Sequence, residues 1–331
     1  MKKLKVAGLL MLLPLTLLTA CGGETPALSF NANWYRNTAL KSDIQNTYEH
    51  LEYEVTFEST PQDGFSVNYA NGIYKTELKD GPVMLESGLL NGYIYTTDLS
   101  ISVSFTLDGK TSEIYEDSVH TEIEFLSAAE GLKPVKSFRE VVSHSPVTKA
   151  PNRSLADPLE SCYAAFHNSY LIEYNEALTS ASVTFTDYSS FGTPNEEKVN
   201  YKLGGKGTFL DNDQLTFALR GLNLSTSASF RTLDYVNRTW KNVQLPTATG
   251  LTESVNFEMD GVPVQTDIDA YSISVGYAGD YGGQSQVMVL AKTTDANANT
   301  YRNVMLRLES PILYSLGTLR YKLVKATFAN K

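Results

Sequence analysis

Residues 65–78 read FSVNYANGIYKTEL, and residues 93–107 read YIYTTDLSISVSFTL. Phe65, Val67 and Tyr69 alternate with polar residues, and so do Leu99, Ile101, Val103, Phe105 and Leu107. A period of two is the signature of a strand with one buried face. Asn71-Gly72, Asp80-Gly81, Asn91-Gly92 and Asp108-Gly109 punctuate the region. Such dipeptides supply the positive φ of tight hairpin turns. The expectation is an antiparallel meander with short connections, half-exposed on one face.

The same alternation recurs at 52–58, 120–125, 183–186, 199–203, 214–219, 224–230, 255–259, 271–277, 287–291, 304–308 and 319–328, with a further turn at Asp260-Gly261. Two helices interrupt it. Leu40, Ile44, Tyr48 and Leu51 recur at helical spacing, predicting a helix over 38–51. Asp157, Pro158 and Glu160 stand at the N-cap, N1 and N3 positions of a capping box. Leu159, Cys162, Tyr163, Phe166 and Tyr170 would then mark one buried helical face. The fold class expected is mostly β (α+β), antiparallel strand meanders with two short helices.

Two echoes suggest duplicated half-barrel or sandwich-like units. Leu51-Glu52-Tyr53 matches Ile172-Glu173-Tyr174, and Leu99–Phe105 matches Leu224–Phe230, at similar offsets. Strands converge on such patterns anyway, so both readings stay open. Residues 143–156, SHSPVTKAPNRSLA, read as an exposed linker. It divides a unit at 36–142 from one at 157–331, and a separate module from about 252 is left open.

The chain has 331 residues, 42% hydrophobic and 19% charged, with 20 tyrosines. That is enough apolar content for a packed core, and the tyrosines favour strands. The formal charge is −10. Setting aside Lys2, Lys3 and Lys5, which lie in a cleavable segment, leaves 24 basic against 37 acidic residues, a net of −13. Nucleic acid is thereby excluded as a natural partner.

That segment opens the chain. Lys2, Lys3 and Lys5 form a positive start, Val6 to Leu18 an apolar run, and Leu18-Thr19-Ala20-Cys21-Gly22 its end. Thirteen apolar residues fit a signal peptide better than a bilayer span, which needs about 20. The pattern resembles the lipobox of bacterial lipoprotein precursors. The resemblance implies a signal peptide at 1–20, lipidation of Cys21, a tether over 21–35, and export to the outer side of a bacterial membrane. Two or more acyl chains hold a protein stably there.

With Cys21 acylated, Cys162 has no disulfide partner, and its place among apolar residues makes it a core residue. Catalytic motifs are missing: His50, His120, His144 and His167 form no HExxH pair, and there is no GxSxG or SxxK. His120 shares a strand face with Glu122 and Glu124, read as solvated acids rather than a metal site. Asp211-Asn212-Asp213 and Asp267/Asp269 read as polar turns, because a calcium loop needs six or more oxygens. GYAGDYGG at 276–283 and GGKG at 204–207 lie between strands, not before a helix, so neither reads as a phosphate cradle. Asn152, Asn223 and Asn237 head sequons read as chance.

Tyr69, Tyr74, Tyr93, Tyr95, Tyr271, Tyr277, Tyr281 and Tyr301 lie on or beside strands, placed for cross-strand pairing or for sugar contact. The function expected is a membrane-anchored, non-enzymatic binding protein for a lipid-like or glycan ligand, without cofactor or metal. Alternatives are a structural or adhesive envelope protein contacting cell wall or a protein partner, and an exported hydrolase built on a His–carboxylate pair.

Overall fold

Strands dominate, as the alternation predicts. The computed structural model describes residue 28 and residues 48–127, 130–188, 193–204, 207–222, 224–234, 239–275, 285–292 and 303–328. The expected signal peptide, Cys21 and nearly all of the tether lie outside the described residues.

The chain runs through β1 (Tyr48–Ser59), β2 (Phe65–Leu85), β3 (Gly88–Leu107), the short β4 (Lys110–Thr111), β5 (Tyr115–Leu126) and β6 (Pro134–Pro146). It continues with β7 (Tyr163–Tyr174), β8 (Ser180–Asp187) and β9 (Asn195–Lys202). A four-residue helix, α1 (Leu215–Ala218), precedes β10 (Ala228–Asp234) and β11 (Thr239–Leu245), which form a separate two-stranded sheet, with Arg231 of β10 also bridged to Phe209. Last come β12 (Thr249–Met259), β13 (Val262–Val275), β14 (Gln286–Ala291), β15 (Met305–Pro311) and β16 (Gly317–Thr327).

Fourteen strands make one sheet, ordered β12-β13-β14-β15-β16-β1-β2-β3-β5-β6-β7-β8-β9, with β4 beside β3. β12 also lies parallel to β16, Glu258 against Lys325 and Met259 against Ala326. It takes over the edge that β15 leaves after Lys322, so the β12–β16 end closes into a barrel. The remaining strands continue the sheet outward from β16 through β1 to β9.

The interior is filled by α1 and the 3-10 turn Leu219–Gly221. The Phe217 ring sits 5.3 Å from Phe125, 5.7 Å from Tyr95 and 6.2 Å from Tyr93. The alternation at 214–219 predicts a strand, and the structure corrects this. Leu215, Phe217 and Leu219 alternate, but Ala218 between them is equally buried. An enclosed helical turn satisfies the same sequence pattern as a strand.

The second expected helix is corrected as well. Asp157 does cap, its Oδ1 accepting the Glu160 N–H at 3.3 Å. The helix is a single 3-10 turn, Glu160–Cys162, and Tyr163 already begins β7. Tyr163 to Phe166 lie opposite Pro146 to Ser143 of β6. An inter-strand ladder of eleven residue pairs outweighs the local helix signal. Leu159 and Cys162 are buried beside Phe65 and Phe105, but Phe166 is 40% exposed. Of the first expected helix, residues 48–51 stand in β1, and residues 38–47 lie outside the described residues.

The linker is shorter than expected, since residues 143–146 belong to β6. The remainder of the connection is docked, not free. Arg153 forks onto Asp108 at 2.7 and 2.9 Å and reaches Asp63 Oδ2 at 3.0 Å. It thereby ties two hairpin turns, Asp63-Gly64 and Asp108-Gly109, to the β6–β7 connection. β6 and β7 pair directly, so the sheet is unbroken at this point.

The turn dipeptides split. Asp108-Gly109 and Asp260-Gly261 make hairpin turns with positive φ at both residues. Asn71-Gly72 is a bulge inside β2, where the pairing with β3 shifts register. Asp80-Gly81 and Asn91-Gly92 are not turns, for Gly81 and Gly92 face each other within the long β2–β3 pair. The echo at Leu224 also falls short of a full strand, because β10 begins at Ala228.

Candidate functional site

Register brings together groups that are far apart in sequence. Asp98 of β3 lies opposite His120 of β5, which lies opposite Glu140 of β6, which lies opposite Ser169 of β7. In β5, Asp117, Thr121, Ile123 and Phe125 are buried, so His120 stands on the opposite, outer face. His120 Nδ1 lies 2.7 Å from Asp98 Oδ1, and His167 Nε2 lies 2.9 Å from Glu140 Oε1. The Tyr188 ring, just beyond β8, packs on His167 at 4.6 Å, and its hydroxyl lies 3.3 Å from Ser169 Oγ. Phe138 sits 6.2 Å from the His120 ring. All the charged and imidazole groups of this row are between two-fifths and three-fifths exposed. At about 4.8 Å per strand, the row from β3 to β8 spans roughly 19 Å. It offers carboxylate acceptors, imidazole nitrogens and ring faces side by side.

The remaining histidines also meet carboxylates. His50 Nε2 lies 3.2 Å from Glu52. His144 belongs to the expected linker by sequence, but in the structure it lies near the end of β6. Its backbone N–H donates to both Asp117 oxygens at 2.9 and 3.0 Å, and its Nδ1 lies 2.9 Å from Asp117 Oδ1. Tyr115 stacks on the His144 ring at 4.1 Å, and its hydroxyl meets that of Tyr163 at 2.9 Å. Burial pushes the Asp117 carboxyl up from its ordinary value, although His144 holds it down in part. A carboxylate that orients an imidazole is part of a hydrolytic triad. The Asp117 carboxylate is the hydrogen-bond partner shown for His144.

Asp211-Asn212-Asp213 has a structural task. Asp211 Oδ2 accepts the Tyr174 hydroxyl at 2.5 Å and Oδ1 accepts the Asp213 N–H at 2.8 Å. Gln214 Oε1 accepts the Asp211 N–H, and Gln214 donates to the Leu132 carbonyl. Arg139 pairs with Asp213 at 2.5 Å. This network anchors the start of α1. Burial, reinforced by the Asp213 charge, pushes Asp211 up to about 6. Asp267 accepts from Ser254 at 2.6 Å. Among the described residues no three His, Cys, Asp or Glu side chains converge as metal ligands do.

Cys162 is buried, its Sγ 3.1 Å from the Pro158 carbonyl, and burial pushes the thiol up. Tyr93 and Tyr95 are core residues, Tyr74 packs edge-on against Tyr321, and Tyr69 packs against Phe57. Lys292 Nζ lies over the Tyr271 ring at 5.4 Å. Tyr277, Tyr281, Tyr301, the 276–283 loop, Lys206, Asn223 and Asn237 lie outside the described residues. Asn152 Oδ1 accepts from Ser154 in a local turn. The sequence gives His120 only as part of a solvated acidic face and His167 only as a helix residue, and it offers no reason to single out Asp98, Glu140, Ser169 or Tyr188. Their only signal is cross-strand register, which a sequence does not display.

A pocket of about 130 Å³ opens beside Leu222, Leu224, Ser225, Tyr271, Leu290, Ala291 and Asn303. Pockets for drug-sized ligands run to about 300–1,000 Å³. Among the described residues no helix is long and apolar enough to cross a membrane.

No family model matches the chain, and no curated protein matches it. Its structure is similar to the crystal structure of a beta-barrel-like protein of a domain of unknown function, DUF1849, from Brucella abortus. That similarity has a TM-score of 0.46 at 10% identity, covering 87% of this chain and 100% of the other. The chain is a mostly β protein with a barrel and additional strands.

Proposed function

We propose that this chain is an exported lipoprotein, held to a bacterial membrane through Cys21, that binds a neutral glycan on its outer face without transforming it. The observation that carries the reading is the Asp98–His120–Glu140–His167–Tyr188 row. Vicinal hydroxyls donate well to paired carboxylate and imidazole acceptors, and a ring face covers the apolar side of a sugar. A span of roughly 19 Å takes several sugar units across five strands. A net charge of −13 after signal removal disfavours an anionic polymer. The lipid-like alternative loses ground because Phe217, Leu219 and Arg220 occupy the space an acyl chain would need.

The test is titration with a panel of neutral oligosaccharides and with purified peptidoglycan. Binding to a neutral sugar, weakened at least tenfold in Tyr188→Ala and in Glu140→Gln, is the expected result. Equal binding by Tyr188→Ala, or capture by peptidoglycan alone, refutes the glycan reading and favours a structural contact with cell wall. For the anchor, Cys21→Ser should abolish incorporation of labelled palmitate. Label retained in that variant means the lipobox reading is wrong.

A further inference from the structure

We propose that the tip of the β2–β3 hairpin rests on the bilayer that holds Cys21. The proposal rests on the lipid anchor argued above. β1 pairs with β2 as far as Tyr48 against Lys79, and β5 pairs with β3 as far as Leu126 against Gly92. Beyond those points β2 and β3 continue paired with each other, from Pro82 against Asn91 to Leu85 against Gly88. Near the end of this extension Met84 and Leu89 face each other across the strands, 64% and 61% exposed, and Leu90 next to them is exposed as well. Large apolar side chains grouped on a projecting tip are costly in water and mark a contact surface.

Leu28, the first described residue beyond the proposed anchor, is joined to this tip by a chain of contacts. Ser87, at the tip, donates through Oγ to Glu176 Oε1 at 2.8 Å and through its N–H to Oε2. Glu176 lies in the β7–β8 turn, two residues after Tyr174, whose ring packs on Phe209 at 5.7 Å. Thr208, beside Phe209, accepts the Leu28 N–H through its hydroxyl at 2.7 Å. Leu28 is seven residues from Cys21, and a fully extended chain covers about 3.5 Å per residue. Cys21 therefore reaches no farther than about 25 Å from Leu28. Ile114, another strongly exposed apolar residue, precedes β5 at the opposite end, beside the turn at Asp108-Gly109.

Exposed Glu86 at the tip limits the depth of contact. A carboxylate stays with the headgroups, so Met84 and Leu89 enter only the boundary between headgroup and acyl chain. The tip acts as a second, weak foot. It fixes which way the sheet faces, so that the outer row is held clear of the membrane.

The experiment uses the full chain purified from membranes and placed in phosphatidylethanolamine vesicles doped with brominated phosphatidylcholine. Leu89→Trp and Ile114→Trp each add one tryptophan at an exposed site, and the unmodified chain supplies the background. The expected result is at least twofold quenching of the added signal in Leu89→Trp and none in Ile114→Trp, with mass spectrometry showing lipid on Cys21. An unquenched Leu89→Trp signal on a lipidated chain overturns the tip contact and leaves the anchor standing. Quenching on a chain without lipid, at saturating vesicles, upholds the tip contact and removes the anchor. A chain with neither lipid nor quenching removes both.

Discussion

Arg220 Nη1 lies 2.6 Å from Glu49 Oε1, and Nη2 lies 2.9 Å from Oε2, in a fork closed off from solvent inside the barrel. Burial opposes the charged guanidinium, and Glu49 more than offsets that, so Arg220 stays charged. Arg220 Nε also donates to the Asn303 carbonyl at 3.2 Å, and its carbonyl accepts from Asn303 Nδ2 at 2.9 Å. The pair therefore locks the inserted turn to β1 on one side and to the approach to β15 on the other. Removing one partner strands a buried charge at a cost of about 3–5 kcal/mol. Arg220→Met and Glu49→Gln should each lose that much in urea unfolding. The double variant Glu49→Leu with Arg220→Met should recover most of it. A loss below about 1 kcal/mol in both single variants would show that water reaches the pair.

Asp211 predicts a pH dependence whose sign is opposite to that of a salt-bridged acid. Its folded value is raised to about 6 from 3.8, so the folded state holds the proton more tightly. The stability this provides is complete below about pH 3.8 and is lost as the pH rises through about 6. About two units at 1.36 kcal/mol each make the loss on the order of 3 kcal/mol. Asp211→Asn keeps partners for Tyr174 and for the Asp213 N–H but does not ionise. Relative to the unmodified chain, its melting temperature should rise between pH 4 and 7. Parallel curves over that range would sink the assignment.

The β class and the strand positions were legible because alternation depends only on which face is buried. Phe65, Val67, Val103 and Phe105 show it without ambiguity, and all four are buried. What failed was local signal against distant competition. Asp157 caps as its sequence promises, yet β6 captures the following residues as a strand. Leu215, Phe217 and Leu219 alternate but are enclosed on all sides, which removes the distinction between strand and helix. The outer row was illegible for a different reason. Asp98, His120, Glu140 and Ser169 become neighbours only through three successive registers, and a slip of one residue in any of them would scatter the row.

The corrected course of residues 157–174 lowers the expected cost of losing Phe166. On a helix face Phe166 would be core. In β7 it is 40% exposed, so Phe166→Ala should cost only about 1 kcal/mol. Phe105 is fully buried and stacks on Tyr163 at 4.2 Å, so Phe105→Ala should cost about 3–5 kcal/mol. Chemical denaturation of the two variants decides the order. In the native protein Cys162 should react with a thiol reagent only as fast as the protein opens, since it is buried and its thiolate is disfavoured. Rapid native labelling of Cys162 would contradict its place in this cluster.

Gly81 and Gly92 face each other across β2 and β3, and they should answer the same substitution oppositely. Both follow a residue type that suggests a turn, Asp80 and Asn91, and neither is in one. A Cβ on Gly81 would meet nothing within 4 Å. Gly81→Ala should therefore be neutral or stabilise by up to about 1 kcal/mol, through the lower entropy of the unfolded chain. A Cβ on Gly92 would come within 2.4 Å of the Phe125 carbonyl oxygen and 2.6 Å of Val83 Cγ2. Backbone on the neighbouring strand cannot swing aside as a flexible side chain does. Gly92→Ala should therefore force β5 away from β3 at a cost of about 1–3 kcal/mol. At roughly 2–4 °C per kcal/mol for a chain of this size, the two variants should melt several degrees apart. Equal melting temperatures would mean that β3 and β5 do not approach as closely at Gly92 as the pairing with Leu126 requires.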